Sequence, residues 1–471
     1  MNDPKIHARF PGRLVIIGFG SIGQGVLPLI LRHIEIDPSQ ITIVTAEDWG
    51  GEEAAGYRVG FVIEPLTRDN YRRVLDSLIG KGDFILNLSV EVSSIALIEF
   101  AQEKGALYLD TCIEPWVGGY IDTSLTLAKR TNSALREAAL ALRQRFRSGP
   151  TAVLAHGANP GMVSHFVKQA LLNVARDTGI ADAPSSRAGW AALAQKLGVK
   201  VIHVAERDTQ RSRLNKQRGE FVNTWSIDGF VAEGCQPAEL GWGSHEKSLP
   251  PDGHRIDEGS KVGVYLDRPG AATRVRTWTP RAGAFHGFLI THNEALSISD
   301  YLTVGDGDRP QYRPTVHYAY HPCDDAVLSI HELAGRNWVQ QLEQRLLMED
   351  IVGGVDELGV LLMGHARGAY WYGSQLSVEQ ARTLAPYNNA TSLQVTSAVL
   401  AGMVWALRHP DAGIVEADEV DFREALAIQG PYLGPIVGAY SDWTPLIGRG
   451  TLFQEDLDLT DPWQFKNFRV T

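Results

Sequence analysis

Cysteine is scarce in this chain: Cys112, Cys235 and Cys323 are the only three among 471 residues. They are odd in number, far apart and outside any CxxC pattern, so neither a disulfide framework nor a thiol motif is expected. That usage fits a reducing cytoplasm. Positive charge is also short, with 44 Lys and Arg against 55 Asp and Glu and a net charge of −11. The balance speaks against a nucleic-acid partner, which would want a basic face. It suits attraction of a cationic small molecule, although many acidic proteins are acidic only for solubility. No apolar run reads as long enough to cross a bilayer, and Met1 to Gly12 lacks the apolar core of a signal peptide. Internal repeats and low-complexity stretches are missing as well. What remains is a globular chain with 44% hydrophobic residues, too long for one ordinary core. Two or three structural units are expected.

The stretch Leu14-Val15-Ile16-Ile17-Gly18-Phe19-Gly20-Ser21-Ile22-Gly23 organises the first of them. Four apolar residues make a short buried strand, and Gly18-x-Gly20-x-x-Gly23 turns the chain into a helix that begins near Ser21. The first glycine permits the turn, and the second lets backbone amides approach a pyrophosphate. The third lets helix and strand pack closely. An anion would rest on free amides at the positive end of the helix dipole. Ile41 to Thr45 reads as a second strand, followed by Glu47 and Asp48. A carboxylate there can hydrogen-bond the adenosine ribose and repel the phosphate of NADP, so NAD is favoured, with Glu47 as first choice.

Strands continue at Phe84 to Val90, Ala106 to Thr111 and Thr151 to Ala155, separated by helices. Their carboxyl ends carry Asn87 and Ser89, Asp110 and Thr111, and His156 to Met162, on the side that lines the ligand crevice of an open α/β sheet. This alternation predicts a Rossmann-type, doubly wound parallel sheet. Past Asn159 a helix (Val163 to Ala175) is followed by shorter runs: Val199 to Ala205, Asn223 to Phe230, Val262 to Leu266, Thr273 to Trp278 and Ile298 to Val304. These read as a second α+β domain on a mixed sheet. The expected organisation is an NAD-binding unit over residues 1–158 and a substrate-binding and dimerisation unit over 159–384. A helical segment returns to the first unit over 385–430, and a tail rich in Gly, Pro and aromatics (431–471) wraps a surface or a partner subunit.

Several constellations could carry chemistry. Glu91 and Glu114 lie just beyond strand ends on the ligand side, and Glu206 ends a strand of the second unit. Any one such acid is more often solvated or paired than functional. Trp225 is read as a core strand residue or as a cation–π platform, and Glu233 lies nearby. His292, with Glu294 two residues on, could be an acid/base or a hydrogen-bonded structural residue. His317 and His321 are spaced i, i+4, but the HExxH zinc pattern is absent and no metal is expected.

Longer words are more specific than the glycine motif. Glu114-Pro115-Trp116, Gly157-Ala158-Asn159-Pro160-Gly161-Met162-Val163, Ala205-Glu206-Arg207-Asp208-Thr209-Gln210 and Asn223-Thr224-Trp225-Ser226 are four of them. Gln236 to Gly243, Thr291-His292-Asn293-Glu294, Tyr370 to Ser377 and Asp461-Pro462-Trp463-Gln464-Phe465 extend the set nearly end to end. Together they resemble the bacterial homospermidine synthases, within a wider kinship to saccharopine and carboxynorspermidine dehydrogenases.

The resemblance implies aminobutyl transfer with retained NAD. Putrescine is oxidised to an imine, ammonia leaves, a second putrescine condenses, and the new imine is reduced to homospermidine; spermidine can replace one putrescine as donor. It implies that Trp225 stabilises the iminium, that Glu206 and Glu233 orient amines, and that Glu114 and Asn159 form the inner chamber. His292 and Glu294 belong to the same pocket, with Asp356 as a further amine anchor. At Glu91 the family pattern is more often Asp, so that contact differs by a methylene. The cofactor set is expected to comprise Gly18, Gly20, Ser21, Ile22, Gly23 and Glu47 from the first βαβ unit. Asn87, Ser89, Asp110, Thr111 and Asn159 join it from later strand ends, and Asn389 and Thr391 from the returning helix. A homodimer is implied too. Two alternatives stay open. A carboxynorspermidine- or saccharopine-type dehydrogenase would show an Arg or Lys clamp, for which Arg207 is the candidate if it faces the pocket. A non-catalytic NAD- and polyamine-binding regulator would bind both without releasing ammonia.

Overall fold

The computed structural model describes residues 5–470; residue 471 and the first four residues of the amino-terminal stretch lie outside the described part. Leu14–Ile17 is an interior strand of a parallel sheet, and all four of its residues are buried. Alternate side chains serve opposite faces. Leu14 and Ile16 pack with Val26, Leu27 and Ile30 on one side, while Val15 and Ile17 meet Leu75, Leu97 and Ile98 on the other. Helices on both faces explain why these strands read as continuous apolar runs. The sheet has seven strands, running in space from Ile414–Glu416 through Ala152–Leu154, Leu107–Asp110 and Phe84–Asn87 to Leu14–Ile17, Ile41–Thr45 and Gly60–Ile63. Strand order reverses on either side of Leu14–Ile17, which opens a crevice at its carboxyl end.

The second sheet has ten strands and is mixed. Its centre is Val201–Asp208, parallel to Thr315–His321 on one side and antiparallel to Val355–His365 on the other. Gly368–Ser377 and Ile436–Ser441 continue it outward. The aromatic tail packs on its own chain: Trp463, Phe465 and Phe468 are buried against this sheet.

Two segments expected as strands are helical. Ile227–Cys235 is a helix whose start is capped by Ser226, which accepts from the Gly229 amide. Ile227, Phe230 and Val231 follow the helical spacing, and short windows hid that period. Asn293–Tyr301 is also a helix, with Asn293 to Ser299 all buried; burial all round removes the amphipathic signal.

The helix Ala390–Arg408 corrects another reading, because its length and apolarity would suffice to cross a membrane. It is instead a core helix, with Leu393, Leu400 and Val404 against Val26, Leu27 and Ile30 of the first unit. Arg136, fully buried, ties the two units together. Its guanidinium grips Glu416 with two bonds of 2.7 Å and reaches Asp300 of the second unit at 2.8 Å. Between the units, at the crevice, lies a cavity.

Candidate active site

The cavity measures about 550 Å³ and runs from the glycine turn to the end of Val201–Asp208. At one end Gly18 sits at φ +85°, and a side chain there would strike Ser89 Cα at 2.8 Å. A Cβ on Gly23 would lie 2.9 Å from the Gly18 carbonyl oxygen, whereas one on Gly20 would meet nothing within 4 Å. The turn is therefore packed from behind and open in front, which is the cradle a pyrophosphate needs. The amides of the first helical turn face it without helical acceptors. Gly18, Gly20, Ser21, Ile22, Glu47, Ser89, Thr111, Asn159 and Thr391 all line the cavity.

The wall is acidic along its length. Glu47, Glu64, Glu91, Glu114, Glu206, Asp228 and Glu233 contribute seven carboxylates to the wall, and no Lys or Arg lines it among the described residues. Arg207 is turned away: it bonds the Pro322 carbonyl at 3.2 Å and Asp324 at 3.0 Å. The carboxylate clamp that a saccharopine-type substrate would require is not supplied by this residue.

Glu206 comes from the strand Val201–Asp208 and accepts from Asn159 Nδ2 at 3.1 Å and from the Tyr318 hydroxyl. Burial pushes its pKa up to about 7. Asp208 and Asp356 stand behind it, paired across adjacent antiparallel strands and fully buried. Their desolvation raises Asp208 to about 6 and drives Asp356 well above the usual carboxylate range. Three carboxyls without a cation at this depth must share protons.

His292 donates from Nε2 to Glu233 at 2.9 Å and from Nδ1 to Glu294 at 3.2 Å. Burial works against its charge, but the two carboxylates outweigh it and hold its pKa well above the ordinary value. With acceptors on both nitrogens the ring is an imidazolium. Glu114 is pushed up to about 8 by burial and accepts the Glu91 backbone amide at 3.1 Å. Trp225 stands in the loop before the helix Ile227–Cys235, half-buried, with its indole Nε1 3.2 Å from the Tyr320 hydroxyl. It is neither in a strand nor sealed in the core.

A homospermidine synthase of Blastochloris viridis is 56% identical over 476 residues, covering all of both chains. The chain belongs to the homospermidine synthase family. A second homospermidine synthase, from Mesorhizobium japonicum, is 53% identical over 99% of this chain and 98% of its own. The crystal structure of the homospermidine synthase from Legionella pneumophila in complex with NAD matches with a TM-score of 0.92 at 50% identity over both full chains. Residues 14–153 match the saccharopine dehydrogenase NADP binding domain and residues 157–439 the saccharopine dehydrogenase C-terminal domain. A Rossmann-type domain joined to a mixed-sheet domain is thus the architecture of this homospermidine synthase family member.

Some expected site residues stay off the cavity wall. Asp110 is fully buried, accepting the Ala155 amide at 2.6 Å and the Tyr108 hydroxyl at 2.7 Å; it ties strands rather than facing a ligand. Asn87 orients Ser89 from below. Asn389 caps the helix Ala390–Arg408 through the Ser392 amide and donates to the carbonyls of Thr224 and Leu347. Gly23 packs, while Glu294 and Asp356 support His292 and Glu206 from behind. Sequence reading missed Tyr318 and Asp228, which both line the wall. Tyr318 could have been found from its strand, since Thr315–His321 runs beside Val201–Asp208. Asp228 lay hidden in a segment read as a strand.

Proposed function

We propose that this chain makes homospermidine and ammonia from two molecules of putrescine, with spermidine as an alternative donor, using NAD that stays bound through the cycle. The observation that carries this reading is a cavity with seven carboxylates, no Lys or Arg, and a glycine cradle at one end. Such a wall recognises dications and rejects carboxylated substrates.

The cradle Gly18 to Ile22, Ser89, Thr111 and Thr391 would hold the cofactor, with Glu47 on the adenosine ribose. Hydride acceptance from the amine-bearing carbon and hydride return to the imine formed with the second amine are the chemistry that NAD held there would supply. The protein supplies position, charge and exclusion of water. Glu233, fixed by the His292 imidazolium, and Glu206, fixed by Asn159 and Tyr318, bind the ammonium groups. The Trp225 face stabilises the iminium carbon–nitrogen unit without giving it a nucleophile. Glu206 and Glu114, with pKa values near 7 and 8, are poised to take a proton from the attacking amine and pass one to the departing ammonia.

The same reading takes the enzyme to be a cytoplasmic homodimer with no nucleic-acid or membrane partner. Exposed Ile447, Leu452, Phe453 and Leu459, all on one segment, support the dimer, which light scattering tests. The decisive experiment supplies putrescine with catalytic amounts of NAD and follows ammonia and polyamines together. Equal amounts of homospermidine and ammonia, without net NADH, are expected. Stoichiometric NADH, or activity only with a carboxylated substrate, would transfer the reading to a dehydrogenase. Tight binding of both ligands without ammonia would leave a sensor.

A further inference from the structure

Three carboxylates on the cavity wall have no part in the scheme above: Glu64, which pairs with Arg73, Glu91, which accepts the Gly118 amide, and Asp228. Asp228 lies in the first turn of the helix Ile227–Cys235, exposed to solvent, and lines the cavity beside Trp225 and Ser226. Two amides from a different part of the chain hold its Oδ1: Gln340 Nε2 at 2.8 Å and Gln344 Nε2 at 2.7 Å. Among the described residues no donor reaches Oδ2, and no Lys, Arg or His pairs with Asp228. Neutral amide donors fix a carboxylate in direction without cancelling its charge. The positive end of the helix adds to the stability of that charge.

The same helix carries Glu233, which lines the same cavity and is tied to His292. Five residues of helical rise separate the two acids by about 7.5 Å along the axis. One rigid element thus presents an inner carboxylate paired to an imidazolium and an outer, solvent-exposed carboxylate on the same cavity wall. On the polyamine reading, a diamine in reaction position uses Glu206 and Glu233 for its two charges. A triamine has a further ammonium on the mouth side.

We propose that Asp228 is a specificity-determining residue that holds the outermost ammonium of a triamine, and so sets how well spermidine competes with putrescine as donor. The inference rests on the polyamine reading of the cavity and deepens it. Gln340 and Gln344 are positioning residues: they aim the carboxylate but do not touch the amine.

The test uses the full-length, NAD-loaded protein. Turnover and calorimetric binding are measured with putrescine and with spermidine, for the original chain, for Asp228→Asn and for Gln340→Ala/Gln344→Ala. Asp228→Asn is expected to lower the spermidine-to-putrescine ratio of kcat/KM by about five- to tenfold, the range of a hydrogen-bonded charge at a part-exposed site. The double glutamine variant is expected to lower it less. Raising the ionic strength should lower the ratio in the original chain and leave Asp228→Asn nearly flat, because a rim charge is screened. A ratio unmoved by Asp228→Asn, with the original chain active on both amines, overturns this assignment alone. If the original chain neither binds nor turns over either amine, the polyamine reading falls and this one with it.

Discussion

The indole nitrogen of Trp225 donates to the hydroxyl of Tyr320 across 3.2 Å, so the orientation of this half-buried aromatic face is set by a residue of the strand Thr315–His321. Phe230 fills the angle between them, with ring centroids 5.2 Å from Trp225 and 5.7 Å from Tyr320. Trp225→Ala should lower kcat by about tenfold or more, the worth of a desolvated cation–π contact. Tyr320→Phe keeps the ring and removes the hydroxyl. It should lower kcat by up to about tenfold through a lost hydrogen bond, with little change in KM. Steady-state kinetics on putrescine separate the two.

Among the described residues His292 is the only basic side chain on the cavity wall, and two carboxylates depend on it. His292→Ala would leave Glu233 and Glu294 buried without a counter-charge, at a cost of about 3–5 kcal/mol. The thermal midpoint should fall accordingly. Added putrescine should raise the midpoint of this variant more than that of the original chain, because a diammonium replaces the lost cation.

Stability should fall as the pH rises through neutrality. Glu206 and Glu114 titrate at about 7 and 8 when folded, against an ordinary glutamate near 4.5. Between those values the folded chain binds more protons than the unfolded one, so raising the pH favours unfolding. The stability these groups contribute is present below about pH 4.5 and is lost as pH rises past about 8. Thermal unfolding of the ligand-free protein at about pH 6 and about pH 9 checks this, and putrescine should restore more at the higher pH.

Glu47 faces the cavity from the end of the second strand of the Rossmann-type sheet. Glu47→Ala should improve kcat/KM with NADP relative to NAD by at least about tenfold, by relieving repulsion of the ribose phosphate. A ratio that does not move would remove Glu47 from cofactor selection.

Arg136 supports the site from a distance. Arg136→Met leaves Glu416 and Asp300 facing an apolar chain at the junction of the two units, and should cost about 3–5 kcal/mol of stability. Chemical denaturation is the direct measurement, with a changed m value expected if the units then unfold separately.

The parallel sheet was legible because its strands are buried on both faces and carry their polar residues at one end. Leu14 to Ile17 with Gly18, Gly20 and Gly23 needs only local rules, and the cradle stands where those rules put it. The helices Ile227–Cys235 and Asn293–Tyr301 were not legible in the same way, since one is short and the other is buried all round. The acids divide along similar lines. Glu114 and Glu206 could be found because strand ends point at the crevice. Asp356 and Asp110 also lie in or at strand ends, yet they point behind the wall, and only register decides that. Asp228 shows the converse, a wall residue concealed by a misread element.

The late return of the chain has a consequence for how the protein is made. One face of the nucleotide-binding sheet is covered by Ala390–Arg408, and its edge is closed by Ile414–Glu416. A nascent chain that has emerged as far as residue 158 therefore exposes the apolar face around Leu109 and Val153, the outer side of the helix carrying Val26, Leu27 and Ile30, and an unpaired strand edge at Ala152–Leu154. It must wait for most of the second unit to be synthesised before it can close. The amino-terminal third expressed by itself should aggregate, whereas a circular permutation that brings residues 385–430 ahead of Leu14 would let that half finish folding early.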